Sequence, residues 1–467
     1  MSAHAIGHDR LLWFRSFMIR LLFLLLGARA LKPMWRYLIV AGIIWMLLGA
    51  LILFDLSDGV LTVVLDTFAL FLVVEGVVEI VAAASLGLRK HWGGALRGLA
   101  FLLAAFLVFN VPWDDNIGAA MVFGAAFLAD GAFRICSAYV VRSPRWRMGM
   151  VAGLVEVVLS LMILFAWPVP HLLTVPFCFA LLLLSSGYAL VRMSLPLRRL
   201  PEGASITSLP FYAARNWWQG GKVHPVAGEG VPAGKGDELL HVHIWTAVGS
   251  AQDPERRLLI DRYVAAVDKK GVISTGHAAL EMPPDLYISH YPANDIDHSP
   301  EDFRPLLLAT RENDVPGRFN ESLQAEAAAW CMPDQKVTFR RFNPQALRTF
   351  WAAYSQDDTY NLTARNCSTT VIQALDAAME GACYTGRLWR DMFRILSDPH
   401  FWLMRLVRGR AEAMTWTPGL VLDYARLLRQ VVESDGRRWS KRVREALRLR
   451  RRLVHRRERH EGKGVAA

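Results

Sequence analysis

Residues 98–113, GLAFLLAAFLVFNVPW, carry no charge, and after Asp114-Asp115 a second apolar stretch runs over 116–141. A hydrocarbon core about 30 Å thick takes roughly 20 helical residues. A helix can cross it because every backbone group inside it is satisfied within the segment. Outward from this pair, residues 37–54, 60–86, 148–167 and 171–191 approach or exceed the same length, with short polar breaks between them. Residues 35–193 therefore read as a membrane domain of six spans.

The block repeats itself. Gly42, Gly98 and Gly153 are 56 and 55 residues apart, and the pairs Glu75-Gly76, Asp130-Gly131 and Ser186-Gly187 are 55 and 56 apart. Pro112 and Pro168 mark the turns of the second and third units. Each unit reads as one helical hairpin, used three times. Small residues at fixed places let helices approach closely in lipid, where burying apolar surface gives no advantage between helices. Lys and Arg flank only one side: the connections 55–59, 111–115 and 167–170 have none, whereas Arg89, Lys90, Arg97, Arg142, Arg145 and Arg147 lie in the others. By the positive-inside rule both ends are expected in the cytoplasm.

The chain has 467 residues and a net charge of +11. Residues 437–463 alone hold 13 Lys and Arg against 3 Glu, so the excess belongs to a tail and no specific nucleic-acid partner is expected. The tail places Trp439, Val443, Leu447, Leu453 and Val454 near one helical face, a pattern that suits anionic lipid headgroups, with RNA binding or disorder as alternatives. Five cysteines show neither a disulfide framework nor zinc spacing, and no cofactor or metal is expected. Residues 1–34 include an apolar run broken by Arg15 and Arg20, which reads as a helix lying in the membrane interface.

Glu75, Glu79, Asp130 and Glu156 are ionisable groups at membrane depth, where charge is costly. They serve either an ion relay or structural pairing, such as Asp130 with Arg134 four residues on. Three hairpins with these acid-glycine pairs late in their units resemble the HdeD-like family of bacterial inner-membrane proteins, over roughly residues 35–193. That resemblance implies an inner-membrane location and a context of acid and stress resistance.

Residues 194–237, rich in Pro and Gly, read as a linker. Beyond it, residues 240–246 alternate as a strand, 255–268 read as a helix, and 276–282 and 286–291 as strands joined at Pro283-Pro284. Further on, 321–330 and 344–354 read as helices, 336–342 as a strand, and 401–407 and 419–432 as amphipathic helices. Val371, Ile372, Leu375 and Met379 give 368–380 a helical pattern ended by Gly381, so Cys367 sits at a helix N-terminus. The positive end of the dipole favours a thiolate there, as a cysteine nucleophile requires. A turn centred between Pro283 and Pro284 sets His277 opposite His290, so that His290 would orient His277 as base; Tyr287 or Ser289 are alternatives for that third place.

The order histidine strand, second strand, cysteine helix resembles the circularly permuted branch of the NlpC-type papain-like fold, which includes lecithin retinol acyltransferase-like proteins, over about residues 239–381. The resemblance implies Cys367 as nucleophile and His277 as base, acting on amide or ester bonds of peptide or lipid substrates. The expected architecture is thus a polytopic α-helical membrane domain of six spans (35–193), a linker (194–237), a cytoplasmic α+β papain-like domain (238–400) and a basic helical tail (401–467). Two functions follow: a membrane-anchored cysteine hydrolase or acyltransferase, or a non-catalytic stress-resistance protein whose soluble domain binds a partner.

Overall fold

The computed structural model describes residues 16–54, scattered positions between 70 and 84, 92–108, 117–142, 146–201, 203–209, 212, 238–247, 266–267, 273–294 and 303–433. Its N-terminal half gives α1 (Ser16–Leu26), α2 (Trp35–Phe54), α3 (Trp92–Val108), α4 (Ile117–Val141), α5 (Trp146–Leu164) and α6 (Thr174–Leu197). Among the described residues, four helical stretches are long and apolar enough to cross a membrane: Ala28–Phe54, Ile117–Val141, Trp146–Leu164 and His171–Leu197. The expected span 98–113 appears as α3, a helix of 17 residues. The expected span 60–86 lies largely outside the described residues, as do Glu75, Glu79, the basic tail from 434 and most of the expected helix 255–268, whose residues Ala266 and Val267 form a strand instead.

The chain divides into two compact units, one of residues 1–47, 129–157 and 183–433, the other of 48–128, 158–182 and 434–467. In the first, the repeat glycines face one another. A Cβ on Gly42 would stand 2.7 Å from the Gly187 carbonyl oxygen, and one on either Gly131 or Gly153 would stand 2.7 Å from the other's. In the second, a Cβ on Gly76 would stand 2.9 Å from the Gly98 oxygen. The contacts therefore join the late glycine of each repeat to the early glycine of the next, and the third repeat back to the first. Such backbone approach tolerates no side chain, which explains the fixed spacing. Also in the second unit, Ser160 Oγ donates to the Gly124 carbonyl at 2.7 Å, joining α4 to α5.

The rest of the first unit is an α+β assembly. Its elements are β1 (Leu240–Trp245), β2 (Ala266–Val267), β3 (Ile273–Ser274), β4 (His277–Met282), β5 (Leu286–Ile288), β6 (His290–Pro292), β7 (Gly317–Phe319), α7 (Leu323–Ala329), β8 (Gln335–Phe339), α8 (Pro344–Tyr354), α9 (Cys367–Met379), α10 (Leu388–Leu396), α11 (Pro399–Ala413) and α12 (Pro418–Glu433). Strands β5, β4, β1 and β8 form an antiparallel sheet in that order, and β6 pairs with β7. Alternation does the rest. Leu240, Val242, Ile244, Ala278, Leu280, Met282, Val337 and Phe339 enter one core with α9 and α12, leaving His241, His243, Trp245, His277, Ala279 and Glu281 at the intervening positions.

Three expectations change. The first concerns α1, which does not lie on a membrane surface: Leu21 to Leu26 are all buried in this same core. The Gly381 and Cys383 amides donate to the carbonyls of Leu24 and Leu25, each at 3.0 Å. Arg20, whose charge suggested an interfacial helix, is matched by Glu412 at 3.4 Å, and the turns that follow it are apolar all round, the signature of a buried helix. Gly27, at φ +78°, lets the chain pass Gly381, since a Cβ there would come within 2.9 Å of the Gly381 Cα.

Second, the linker is pinned at its start, where α6 runs on to Leu197. Glu380, at the end of α9, accepts from the amides of Ile206 at 2.8 Å and Ala28 at 3.2 Å and from Ser205 Oγ. Third, no domain boundary falls at 400, because Phe401, Met404 and Leu428 of α11 and α12 are buried in the sheet's core.

Candidate functional site

Asn366 fixes the start of α9. Its side chain accepts from the Thr369 amide at 2.8 Å, Thr369 Oγ1 accepts from the Asn366 amide at 2.8 Å, and the Asn366 amide group donates to the carbonyls of Leu362 and Trp416. This is a complete capping box, so Cys367 is held as the first helical residue. The thiol is buried, with Ser368 Oγ at 3.8 Å, and the Ala278 backbone N–H points at the sulfur. Cys367 is thus set against the residue next to His277.

His277 opens β4 and is 2 % exposed. Its Nε2 lies 3.0 Å from Ser289 Oγ and 3.1 Å from Glu326 Oε1. The ring stacks on Tyr291 at 4.1 Å and tilts against Trp245 at 5.3 Å. Tyr287 donates to Glu326 Oε2 at 2.6 Å, closing the polar group. Trp245 in turn donates to the Cys331 carbonyl at 2.7 Å and stacks on Trp330, so α7 and the chain after it cover this side of the strand.

Burial dominates the electrostatics. It pushes His277 down to about 4, with the Glu326 charge opposing, and it pushes the Cys367 thiol up despite the helix start and the Ala278 N–H. The expectation of a lowered thiol pKa therefore changes: at neutral pH the resting pair is a protonated thiol and a neutral imidazole. Burial likewise raises the Tyr291 hydroxyl, and Glu326 and Cys367 add to the rise.

His290 does not fill the place expected of it. The observed register sets Glu281 opposite Tyr287 and Met282 opposite Leu286, so the turn is centred on Pro284, half a step from its expected position. That half step sends the next odd-numbered side chain, Tyr291, to His277 and turns His290 the other way. His290 Nδ1 meets Thr370 Oγ1 of α9 at 3.2 Å, and its Nε2 meets the Asp358 carbonyl at 3.1 Å. Arg365, Tyr354 and Thr370 continue that network, which braces α9 from below. Ser289, one of the alternatives, is the residue that reaches His277. Glu326 was not singled out in the sequence; its only signal is a lone carboxylate within the alanine-rich α7.

Inside the membrane helices, Arg134 Nε donates to Asp130 at 2.9 Å and Glu156 at 3.0 Å, and Arg410 of α11 lies 3.1 Å from the other Asp130 oxygen. Among the described residues no three His, Cys, Asp or Glu side chains are placed to hold a metal ion.

Residues 96–165, spanning α3 to α5, match the family model described as a short repeat of unknown function (DUF308). That repeat is membrane-associated and HdeD-like, so the chain is a multi-pass membrane protein with an HdeD-like part. No curated protein and no solved structure matches the chain.

Proposed function

We propose that the α+β part is a thiol hydrolase or acyltransferase of the permuted NlpC-type, papain-like kind, anchored by a six-span HdeD-like domain in a bacterial inner membrane with both termini cytoplasmic. One observation carries this reading: Cys367 stands at the capped start of α9 beside Ala278 of β4, one residue from an imidazole whose Nε2 lies 3.0 Å from Ser289 Oγ and 3.1 Å from Glu326 Oε1. That leaves His277 Nδ1 to take the thiol proton as Cys367 attacks an amide or ester carbonyl. N–H groups at the helix start stabilise the oxyanion, and His277 returns the proton to the leaving amine or alcohol. The acyl thioester then passes to water or to an acceptor. A neutral resting pair suits this, because the proton moves during attack and no buried ion pair has to be maintained beforehand. Peptides and lipids are the substrate classes, and the basic tail would hold anionic headgroups.

An alkyne-tagged chloroacetamide applied to membranes tests it. Expected is labelling at Cys367 that is lost in Cys367→Ala and slowed at least ~10-fold in His277→Ala, in line with the usual contribution of a general base. Labelling of Cys367 that ignores His277 would sink the reading. A second reading, a partner-binding domain without catalysis, draws on the depth of the pair, with Cys367 8 % and His277 2 % exposed. Stress survival that is unchanged in both variants at matched protein levels would favour it. A reporter fused after Met193 tests orientation, which fails if the fusion is active only on the outer side.

A further inference from the structure

Large apolar side chains are exposed unevenly in the chain after Leu195. Of the eight such residues described there, five lie within 389–406: Trp389 and Phe393 on α10, and Trp402, Leu403 and Leu406 on α11. Trp389 and Phe393 are one turn apart, as are Trp402 and Leu406, so each helix shows a stripe on one face. Phe393 is 73 % exposed, more than any other large apolar residue in this part of the chain. The opposite faces are spent in the core, through Leu388 and Ile395 of α10 and Phe401 and Met404 of α11.

The surroundings identify the occupant. One turn beyond Leu406, Arg410 is ion-paired to Asp130 of α4 and its guanidinium lies 4.3 Å over the Phe133 ring. A second tie joins the Ala309 amide to the Val141 carbonyl at the end of α4, at 2.8 Å. Helix α11 is thus tied through Arg410 to a helix long and apolar enough to cross the membrane. The charge fits as well. Arg387 and Arg390 are exposed beside the stripe, whereas its two carboxylates are turned to local partners, Asp391 to Thr385 and Asp398 to His400. Exposed Trp, Phe and Leu with arginine at the margin is the composition of a helix lying at the boundary between headgroups and acyl chains.

We propose that α10 and α11 form a lipid-docking face, with Trp389, Phe393, Trp402, Leu403 and Leu406 inserted into the interfacial layer of the bilayer that α4 crosses. The α+β part is then held flat against that membrane by its own surface as well as by its connections. The inference is independent of whether Cys367 reacts.

Nitroxide labels at Phe393→Cys and Leu406→Cys, made one at a time in the full chain with Cys136, Cys331 and Cys367 replaced by Ser, provide the test. The protein is reconstituted in phosphatidylcholine vesicles containing phosphatidylglycerol. Collision with oxygen, which concentrates in acyl chains, is compared with collision with an aqueous nickel chelate. The expected oxygen-to-nickel ratio at both sites is several-fold above that at exposed Gln356→Cys. Ratios equal to that at 356 would mean that the face looks into water. Labels shielded from both reagents would mean that a second copy or another protein covers it. Either result overturns the proposal, and the two labels report independently should one variant misfold.

Discussion

Two arginines, one between membrane helices and one in the α+β core, each hold two carboxylates. Arg134 of α4 offers its Nε to Asp130 at 2.9 Å and Glu156 at 3.0 Å. Arg408 of α11 grips Asp376 of α9 with both terminal nitrogens, at 2.7 and 2.6 Å, and adds Glu412 at 2.6 Å and the Tyr424 hydroxyl at 3.0 Å. The second cluster is a two-pronged pair sealed in protein, the geometry in which arginine and carboxylate match best. The first is open, since Asp130 keeps an oxygen for Arg410, two residues along α11 from Arg408. One locks the cysteine helix to its neighbour; the other joins a repeat motif of the membrane helices to that same neighbour.

If the sealed cluster is the stiffer of the two, Arg408→Met should be the most damaging single change. Leaving Asp376 buried without its partner costs about 3–5 kcal/mol. The expected outcome is a large fall in Tm in detergent, mostly restored in Arg408→Met/Asp376→Leu. Damage persisting in the double variant would mean that packing, not charge, is what Arg408 supplies.

Acid should separate the regions next. Both His277 and His290 sit near 4 when folded against an ordinary 6.5, because burial favours the neutral ring. The unfolded chain therefore takes up these protons first. Their contribution is fully present above pH 6.5 and is lost as the pH falls from 6.5 toward 4, by up to about 3 kcal/mol each. Hydrogen exchange as a function of pH should show the sheet and α9 opening before α4 and α5; the reverse order would break the comparison.

Overpacking probes the membrane pair alone. Gly131→Leu meets the Gly153 backbone and should cost about 1–3 kcal/mol, read as lost monodisperse protein in detergent. Gly118→Leu, where a Cβ meets nothing within 4 Å, should be silent. The smallest effect is expected for Asp130→Asn, which keeps the side chain's shape and leaves Arg134 its pair with Glu156. Its signature is faster amide exchange near Arg410 with α9 unchanged; protection lost throughout α9 would show that the two clusters act as one.

Four candidate membrane helices were legible because length and the 55- and 56-residue spacings are properties of the sequence itself. The contact partners were not, because spacing alone cannot tell a glycine that meets its own hairpin from one that meets the next repeat. In the α+β part, the helix start at Cys367 and the strand carrying His277 could be read from local pattern. His290 could not be placed, since moving the turn centre by half a residue from its expected position reverses every side chain beyond it. Glu326 and α1 reach their places through long-range packing. Neither alanine-rich α7 nor the two arginines of the N-terminal run record what they will be packed against.

The pairing of Leu24 and Leu25 with Gly381 and Cys383 has a consequence for biosynthesis. Helix α1 leaves the ribosome before the slot it fills exists. At roughly 5–20 residues per second, its partners emerge some 20–70 s later. Until then a run of bare leucines must be sheltered by lipid or a chaperone, and this part of the core closes only once Gly381 and Cys383 have been made.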